Sequence, residues 1–214
     1  MATISDDFTS AYDTALWTLY KDEAGFTVGS VSSELEIAGT ATANYKGAGL
    51  TSKISYDLTA PSDIEYIATG FTGGDVTASV WSIITLNIPG SNDPTDQDDW
   101  YRWGQEGTTY YAQKKVATSV STIASGAAGA LNNTYKLDFP TTGDDVRFIS
   151  DSVEKTSDAT YALSSRDVAI SLVGNFGQDW TPQTITLDTF SATYTAAAPA
   201  GGNPWDYQGQ QESL

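Results

Sequence analysis

Two neighbouring stretches, Trp100-Tyr101-Arg102-Trp103-Gly104-Gln105-Glu106 and Tyr110-Tyr111-Ala112-Gln113-Lys114-Lys115, gather the side-chain types that recognise sugars. The apolar C–H faces of a pyranose stack on Trp and Tyr, and its hydroxyls exchange hydrogen bonds with Arg, Gln and carboxylates. Trp100, Tyr101, Arg102, Trp103, Tyr110 and Tyr111 are therefore candidates for contact with a glycan or a protein partner. If the first stretch is a strand, Trp100, Arg102 and Gly104 share one face, while Tyr101, Trp103 and Gln105 share the other. One of those faces must be core.

Just before it lies the densest acidic run, Asp93-Pro94-Thr95-Asp96-Gln97-Asp98-Asp99. Carboxylates of this kind suit Ca²⁺, which takes roughly 6–8 oxygens, so Asp93, Asp96, Asp98 and Asp99 are candidate ligands. The run lacks the Gly and closing Glu of an EF-hand loop, and a solvated turn is the plainer reading. No other cofactor is implied. Glycoside hydrolysis asks for two carboxyl groups, roughly 5–5.5 Å apart when configuration is retained and 6.5–9.5 Å when inverted. Glu34 and Glu36 stand about 7 Å apart by strand rise. They lie on an early strand with no third carboxylate nearby, and read as a solvated strand face.

Missing residue types exclude more. With no Cys and no His, there is no disulfide framework, thiolate zinc site or cysteine nucleophile, and no imidazole base or serine–histidine triad. Neither a Gly-x-Ser-x-Gly elbow nor a phosphate-binding Gly-Lys-Ser/Thr loop is present. Asp and Glu number 27 against 10 Lys and Arg, a net charge of −17. That opposes nucleic acid, which is bound by displacing counterions with cations, and equally an anionic membrane surface. It favours solubility where many copies lie side by side. No apolar run approaches the ~20 residues needed to span a bilayer. The start, Met1-Ala2-Thr3-Ile4-Ser5-Asp6-Asp7, lacks the basic and apolar regions of a secretory leader.

The elements that must position these groups read as strands. Ser33-Glu34-Leu35-Glu36-Ile37 puts Leu35 and Ile37 on one face. Ile64, Tyr66 and Ala68 alternate with polar neighbours, and residues 184–194 alternate over a long span. Turn signals such as Thr72-Gly73-Gly74-Asp75 and Asn175-Phe176-Gly177-Gln178-Asp179 separate the runs. No window sustains a helical apolar stripe; residues 123–131 have the Ala content for one helical turn, weakened by Gly126 and Gly129. An all-β, two-sheet antiparallel sandwich over residues 1–195 is expected. Residues 196–202, rich in Ala, Pro and Gly, read as a linker. Residues 203–214 form a polar tail, either frayed or a docking arm anchored by Trp205 and Tyr207.

The order of elements resembles the concanavalin A-like lectin/glucanase jelly rolls. Asp6-Asp7-Phe8, Leu16-Trp17, Gly25-Phe26-Thr27-Val28 and Glu34-Leu35-Glu36-Ile37 are similar to the opening of that fold. Asn133-Thr134-Tyr135-Lys136-Leu137-Asp138-Phe139 with Val146-Arg147-Phe148-Ile149 resembles its hairpin. Ile185-Thr186-Leu187-Asp188-Thr189-Phe190 resembles its closing strand. The resemblance spans about residues 6–194 and implies two sheets packed face to face, with a concave face that binds or cleaves glycans in relatives. The glucanase motif Glu-x-Asp-x-x-Glu is absent, and Asp151-Ser152 stands where the family usually has a turn glycine.

These features together lead to an expectation of a non-catalytic virion structural protein of the capsid decoration, tail or fibre kind. It would be made in host cytoplasm, displayed on the virion surface, and partnered by capsid or tail proteins, by copies of itself and by cell-surface glycans. A carbohydrate-binding module of a secreted enzyme is the alternative, and a glycosidase or polysaccharide lyase the third.

Overall fold

Alternation decides the layers. In the computed structural model, which describes residues 1–43, 46–59, 61–72, 78–86, 94, 97, 99–128, 133–140, 145–176 and 183–195, every regular element is a strand. In chain order these are β1 (Ala2–Asp6), β2 (Trp17–Lys21), β3 (Thr27–Val31), β4 (Glu34–Gly39), β5 (Lys46–Ser52), β6 (Tyr56–Asp57), β7 (Ser62–Thr72) and β8 (Ser79–Thr85). There follow β9 (Trp100–Glu106), β10 (Thr109–Val116), β11 (Ser119–Ala127), β12 (Asn133–Phe139), β13 (Val146–Ser150), β14 (Val153–Asp158), β15 (Asp167–Phe176) and β16 (Gln183–Tyr194).

They form two antiparallel eight-stranded sheets. The first runs β14-β13-β12-β7-β16-β4-β3, with β1 pairing β16; the second runs β11-β10-β9-β8-β15-β5-β2, with β6 pairing β15. Leu35, Ile37, Ile64 and Tyr66 of the first sheet are fully buried, as alternation predicts. They meet Ala48, Leu50, Val80, Ile84, Tyr101, Trp103 and Leu172 of the second in one core cluster. The all-β sandwich expected from the sequence is the fold observed.

The Asp-Phe…Trp signature near the start has a physical cause. Asp6, only 8% exposed, accepts hydrogen bonds from the Phe8 backbone N–H (3.0 Å), the Asp13 N–H (2.8 Å) and the Trp17 indole N–H (3.0 Å). One carboxylate thus folds the loop between β1 and β2 back on itself. It also sets Trp17 edge-on against Phe190 at 4.9 Å. Between the sheets, Gln105 does comparable work: its side-chain oxygen accepts from Tyr135 Oη (2.7 Å) and Asn133 Nδ2 (3.0 Å), joining β9 to β12.

Residues 123–131, read as a weak helical turn, are strand as far as Ala127. Gly126 is there for packing: a Cβ at this position would stand 2.6–2.9 Å from atoms of the cross-strand Tyr110 ring. The linker at 196–202 and the tail at 203–214, with Trp205 and Tyr207, lie outside the described residues.

Three hairpins turn through two residues of positive φ without glycine: Ser32–Ser33 (54° and 66°), Ala117–Thr118 (46° and 74°) and Asp151–Ser152 (51° and 64°). Both positions of a type I′ turn want Asn or Gly, and a β-branched Thr118 is the worst placed. Replacing Ala117-Thr118 by Asn-Gly is expected to stabilise the fold by about 1–2 kcal/mol, from a left-handed penalty of roughly 1–2 kcal/mol per residue. The urea midpoint should rise; an unchanged midpoint would show the turn is unstrained.

Candidate functional site

The sheet pairing settles which face of β9 is core. Tyr101 and Trp103 are fully buried between the sheets: the Tyr101 hydroxyl donates to Asp158 Oδ2 (2.7 Å) and the Trp103 indole to the Ile149 carbonyl (2.8 Å). Burial, and the donation to Asp158, push the Tyr101 hydroxyl well above its ordinary pKa, so it stays a proton donor. Tyr110 leans on the same cluster, 5.5 Å from Trp103. Tyr101 and Trp103 therefore leave the list of glycan contacts, and Tyr110 serves the core. Their inner-face register closes Tyr101 and Trp103 between the sheets, while Tyr110 stays partly exposed.

Trp100, Arg102 and Tyr111 lie on the opposite, outer face of the second sheet. There they join side chains from strands far apart in sequence. Across the strands, one row in register reads Tyr20, Gly49, Val173, Trp81, Gly104, Tyr111. The next row reads Thr18, Thr51, Ser171, Ile83, Arg102, Gln113, Thr122. Beyond it lie Ala169, Thr85, Trp100, Lys115 and Val120. Neighbouring rows are two residues apart along a strand, about 7 Å, and side chains within a row are roughly 4.8 Å apart. Tyr20, Trp81, Ile83, Trp100 and Val173 form an apolar cluster of their own, with Tyr111 packed against it.

Trp100 behaves otherwise than a bare stacking platform. Trp81 is 1% and Trp100 2% exposed. The Arg102 guanidinium carbon lies 4.4 Å from the Trp81 ring centre and 4.9 Å from that of Trp100. Cation–π attraction of this kind is worth ~0.5–2 kcal/mol, more where water is excluded. The Trp81 N–H is held by Ser79 Oγ (2.8 Å), which fixes its ring. Arg102 Nε in turn donates to Gln113 Oε1 (2.7 Å), and Gln113 Nε2 to Thr122 Oγ1 (2.9 Å). Thr51 and Ser171 share a hydroxyl hydrogen bond at 3.1 Å in the same row. The result is a polar ladder beside an aromatic row, with one oriented cation at its centre.

Sequence reasoning missed Trp81, Thr122, Thr51 and Ser171 as parts of this surface, and had Gln113 only within its stretch. Every residue of β8 is buried, so its run shows no alternation that would flag Trp81. The rest come together only through register.

Elsewhere, Glu34 and Glu36 lie on the outer face of the first sheet, opposite Leu35 and Ile37, as a strand face should. Of the candidate Ca²⁺ ligands, Asp93, Asp96 and Asp98 lie outside the described residues. Asp99 accepts the Ala117 backbone N–H (2.8 Å) and so caps the β10–β11 turn. On the first sheet's outer face, Asp63 pairs with Lys136 and stands opposite Asp138, whose carboxyl is raised by burial. This is a half-solvated ion network.

No family model matches the chain, and no curated protein does. Solved structures do match. An endo-acting O-glycanase of the human gut microbiota, which initiates mucin breakdown, has a TM-score of 0.67 at 13% identity, covering 89% of this chain and 98% of that one. The Bacillus licheniformis β-glucanase gives 0.68 at 15% identity, over 91% and 99% of the two chains. The carbohydrate recognition domain of Emp47p gives 0.66 at 13% identity, over 91% and 95%. At such identities the likeness establishes the fold, a lectin/glucanase jelly roll. Endo-acting glucanases recur among the similar structures, and this overturns the expectation of a non-catalytic virion component. The capsid or tail role, and the expected lack of catalysis, are both corrected on that ground.

Proposed function

We propose that this chain handles polysaccharide on the outer face of the second sheet. The observation that carries the reading is the partly open part of the two registered rows, Tyr111 beside Arg102, Gln113 and Thr122, while Tyr20, Trp81, Trp100, Val173 and Ser171 are buried beneath it. Such an arrangement matches a glycan, whose rings offer apolar faces and whose edges offer hydroxyls. The fold neighbours support it, since they include endo-acting glycanases and a carbohydrate recognition domain.

The neighbours favour hydrolysis as the activity. Hydrolysis needs an acid and a base or nucleophile. Within a further row, Gly47, Asn175, Ser79, Glu106 and Thr109, Glu106 supplies a carboxylate on this face. At the far end of the sheet, Asp57 and Asp167 stand directly opposite each other in register. Side chains so placed have Cβ atoms about 4.5–5.5 Å apart, and the Asp57 carboxylate is held by the Thr59 N–H (2.9 Å) and hydroxyl (2.6 Å). Incubation with laminarin, mixed-linkage glucan and mucin O-glycans should release reducing ends. Asp57→Asn or Asp167→Asn is expected to cut the rate by at least ~100-fold, the usual scale for a general acid–base group. No release from any of the three would reject hydrolysis of these glycans, and full activity in both variants would reject these carboxylates.

A further inference from the structure

We infer that the β11 edge of the second sheet pairs with the β11 edge of a second copy of this chain, antiparallel and about a two-fold axis, in a weak dimer.

β11 is the outermost strand of its sheet, and among the described residues it pairs only with β10. The backbone N–H and C=O groups along its other side are a template for strand addition. Proteins guard such edges with short strands, charged side chains, Pro or bulges. The other outermost strands follow that rule: β2 and β3 have five residues each, and β14 carries Glu154, Lys155 and Asp158. β11 has nine residues, of which Ser119, Val120, Ser121, Thr122, Ser125 and Ala127 are exposed. A bulge at Ile123, opposite the step from Ala112 to Gln113, bends the strand. Regular register runs on either side of it, over 119–122 and 124–127.

Charge selects the partner. With a net charge of −17, two copies repel over most of their surfaces. No charged residue stands between Lys115 and Lys136, a span that holds the whole of β11. Two copies therefore meet along this edge without setting like charges directly opposite, the arrangement that destabilises cross-strand pairs. Val120, 54% exposed on the strand itself, adds apolar area that pairing removes from water.

Antiparallel pairing of identical strands is self-complementary, as a two-fold interface must be. With the axis normal to the sheet, both outer faces stay on one side. The face proposed to take glycan is then doubled, although the pairing does not depend on that reading. One strand edge buries little area and belongs to the weak, reversible class of interfaces.

Sedimentation velocity on the whole chain tests the inference. Expected is a monomer near ~1 μM and a growing dimer fraction towards ~500 μM. Raising NaCl from about 20 to about 500 mM should tighten the dimer several-fold, because salt screens the repulsion between the copies. Ser121→Glu/Ser125→Glu sets like charges along the edge and should leave monomer alone. Val31→Lys, on the β3 edge of the other sheet, should dimerise as the wild type does. Hydrogen exchange reads the pairing without a variant: amides of residues 119–127 should exchange several-fold more slowly in concentrated than in dilute samples, and those of 27–31 and 153–158 equally fast in both. A monomer at every concentration and salt overturns the inference, as does a dimer that salt weakens. So does a dimer that persists in folded Ser121→Glu/Ser125→Glu or is lost in Val31→Lys, growth beyond a dimer, or protection gained at another edge instead.

Discussion

Asp6→Ala is expected to destabilise the protein by about 3–5 kcal/mol, a large part of the 5–15 kcal/mol typical of a domain. The carboxylate is the acceptor for Phe8 N–H, Asp13 N–H and the Trp17 indole N–H, in a setting that is nearly closed to solvent. Each buried donor left without its acceptor costs roughly 1–3 kcal/mol. The loop backbone can recover part of this by turning to water, which sets the sum below full additivity. Asp6→Asn keeps one acceptor oxygen and should fall midway. Urea denaturation followed through Trp fluorescence reports both, since Trp17 packs on Phe190 at the centre of the change. A loss below about 1 kcal/mol would mean the opening motif is not what pins β1 and β2.

The second large effect is at Gln105. Gln105→Leu keeps the volume but strips the acceptor from the Tyr135 hydroxyl and the Asn133 amide, both within the inter-sheet core. A cost of about 3 kcal/mol follows from two buried donors losing the same oxygen. Tyr135→Phe in the Gln105→Leu background should then cost about 1 kcal/mol less than in the wild type, the coupling expected of residues sharing one hydrogen bond. Additive losses in that cycle would show that the two side chains do not act as a pair. Tyr135 also stacks near Tyr66 at 5.4 Å and meets Trp103 edge-on at 5.3 Å. The polar contact thus positions an aromatic cluster that holds β7, β9 and β12 together.

Much of the fold was legible because half-buried strands write their burial into period-2 patterns. Leu35 with Ile37, and Ile64 with Tyr66 and Ala68, point inward as their spacing demands. The Asp-Phe…Trp opening was recognisable for the reason just argued, a carboxylate with three fixed donors. The candidate site was half legible. Trp100, Tyr101, Arg102 and Trp103 put aromatic residues on both faces of one strand, so composition could not say which face was core. Only the neighbours of β9, Gly104 beside Trp81 and Tyr111 on one side and Tyr66 with Tyr135 on the other, decide it. Trp81 gave no signal because β8 is buried on both faces. The functional expectation failed for a related reason. Core packing tolerates wide apolar substitution while the layers persist, and chemistry sits in a few positions grafted on the fold. Absence of one familiar acidic motif therefore excluded less than it was taken to exclude.

The central claim is that the outer face of the second sheet holds the glycan. Affinity electrophoresis of Tyr111→Ala/Gln113→Ala beside Glu65→Gln/Thr134→Ala, which alters the outer face of the first sheet, tests it most directly. The account predicts that at least one polysaccharide retards the wild type and the first-sheet variant alike, and that the Tyr111/Gln113 variant, still folded, runs unretarded. Retardation that survives in the Tyr111/Gln113 variant and vanishes in the first-sheet variant would contradict it.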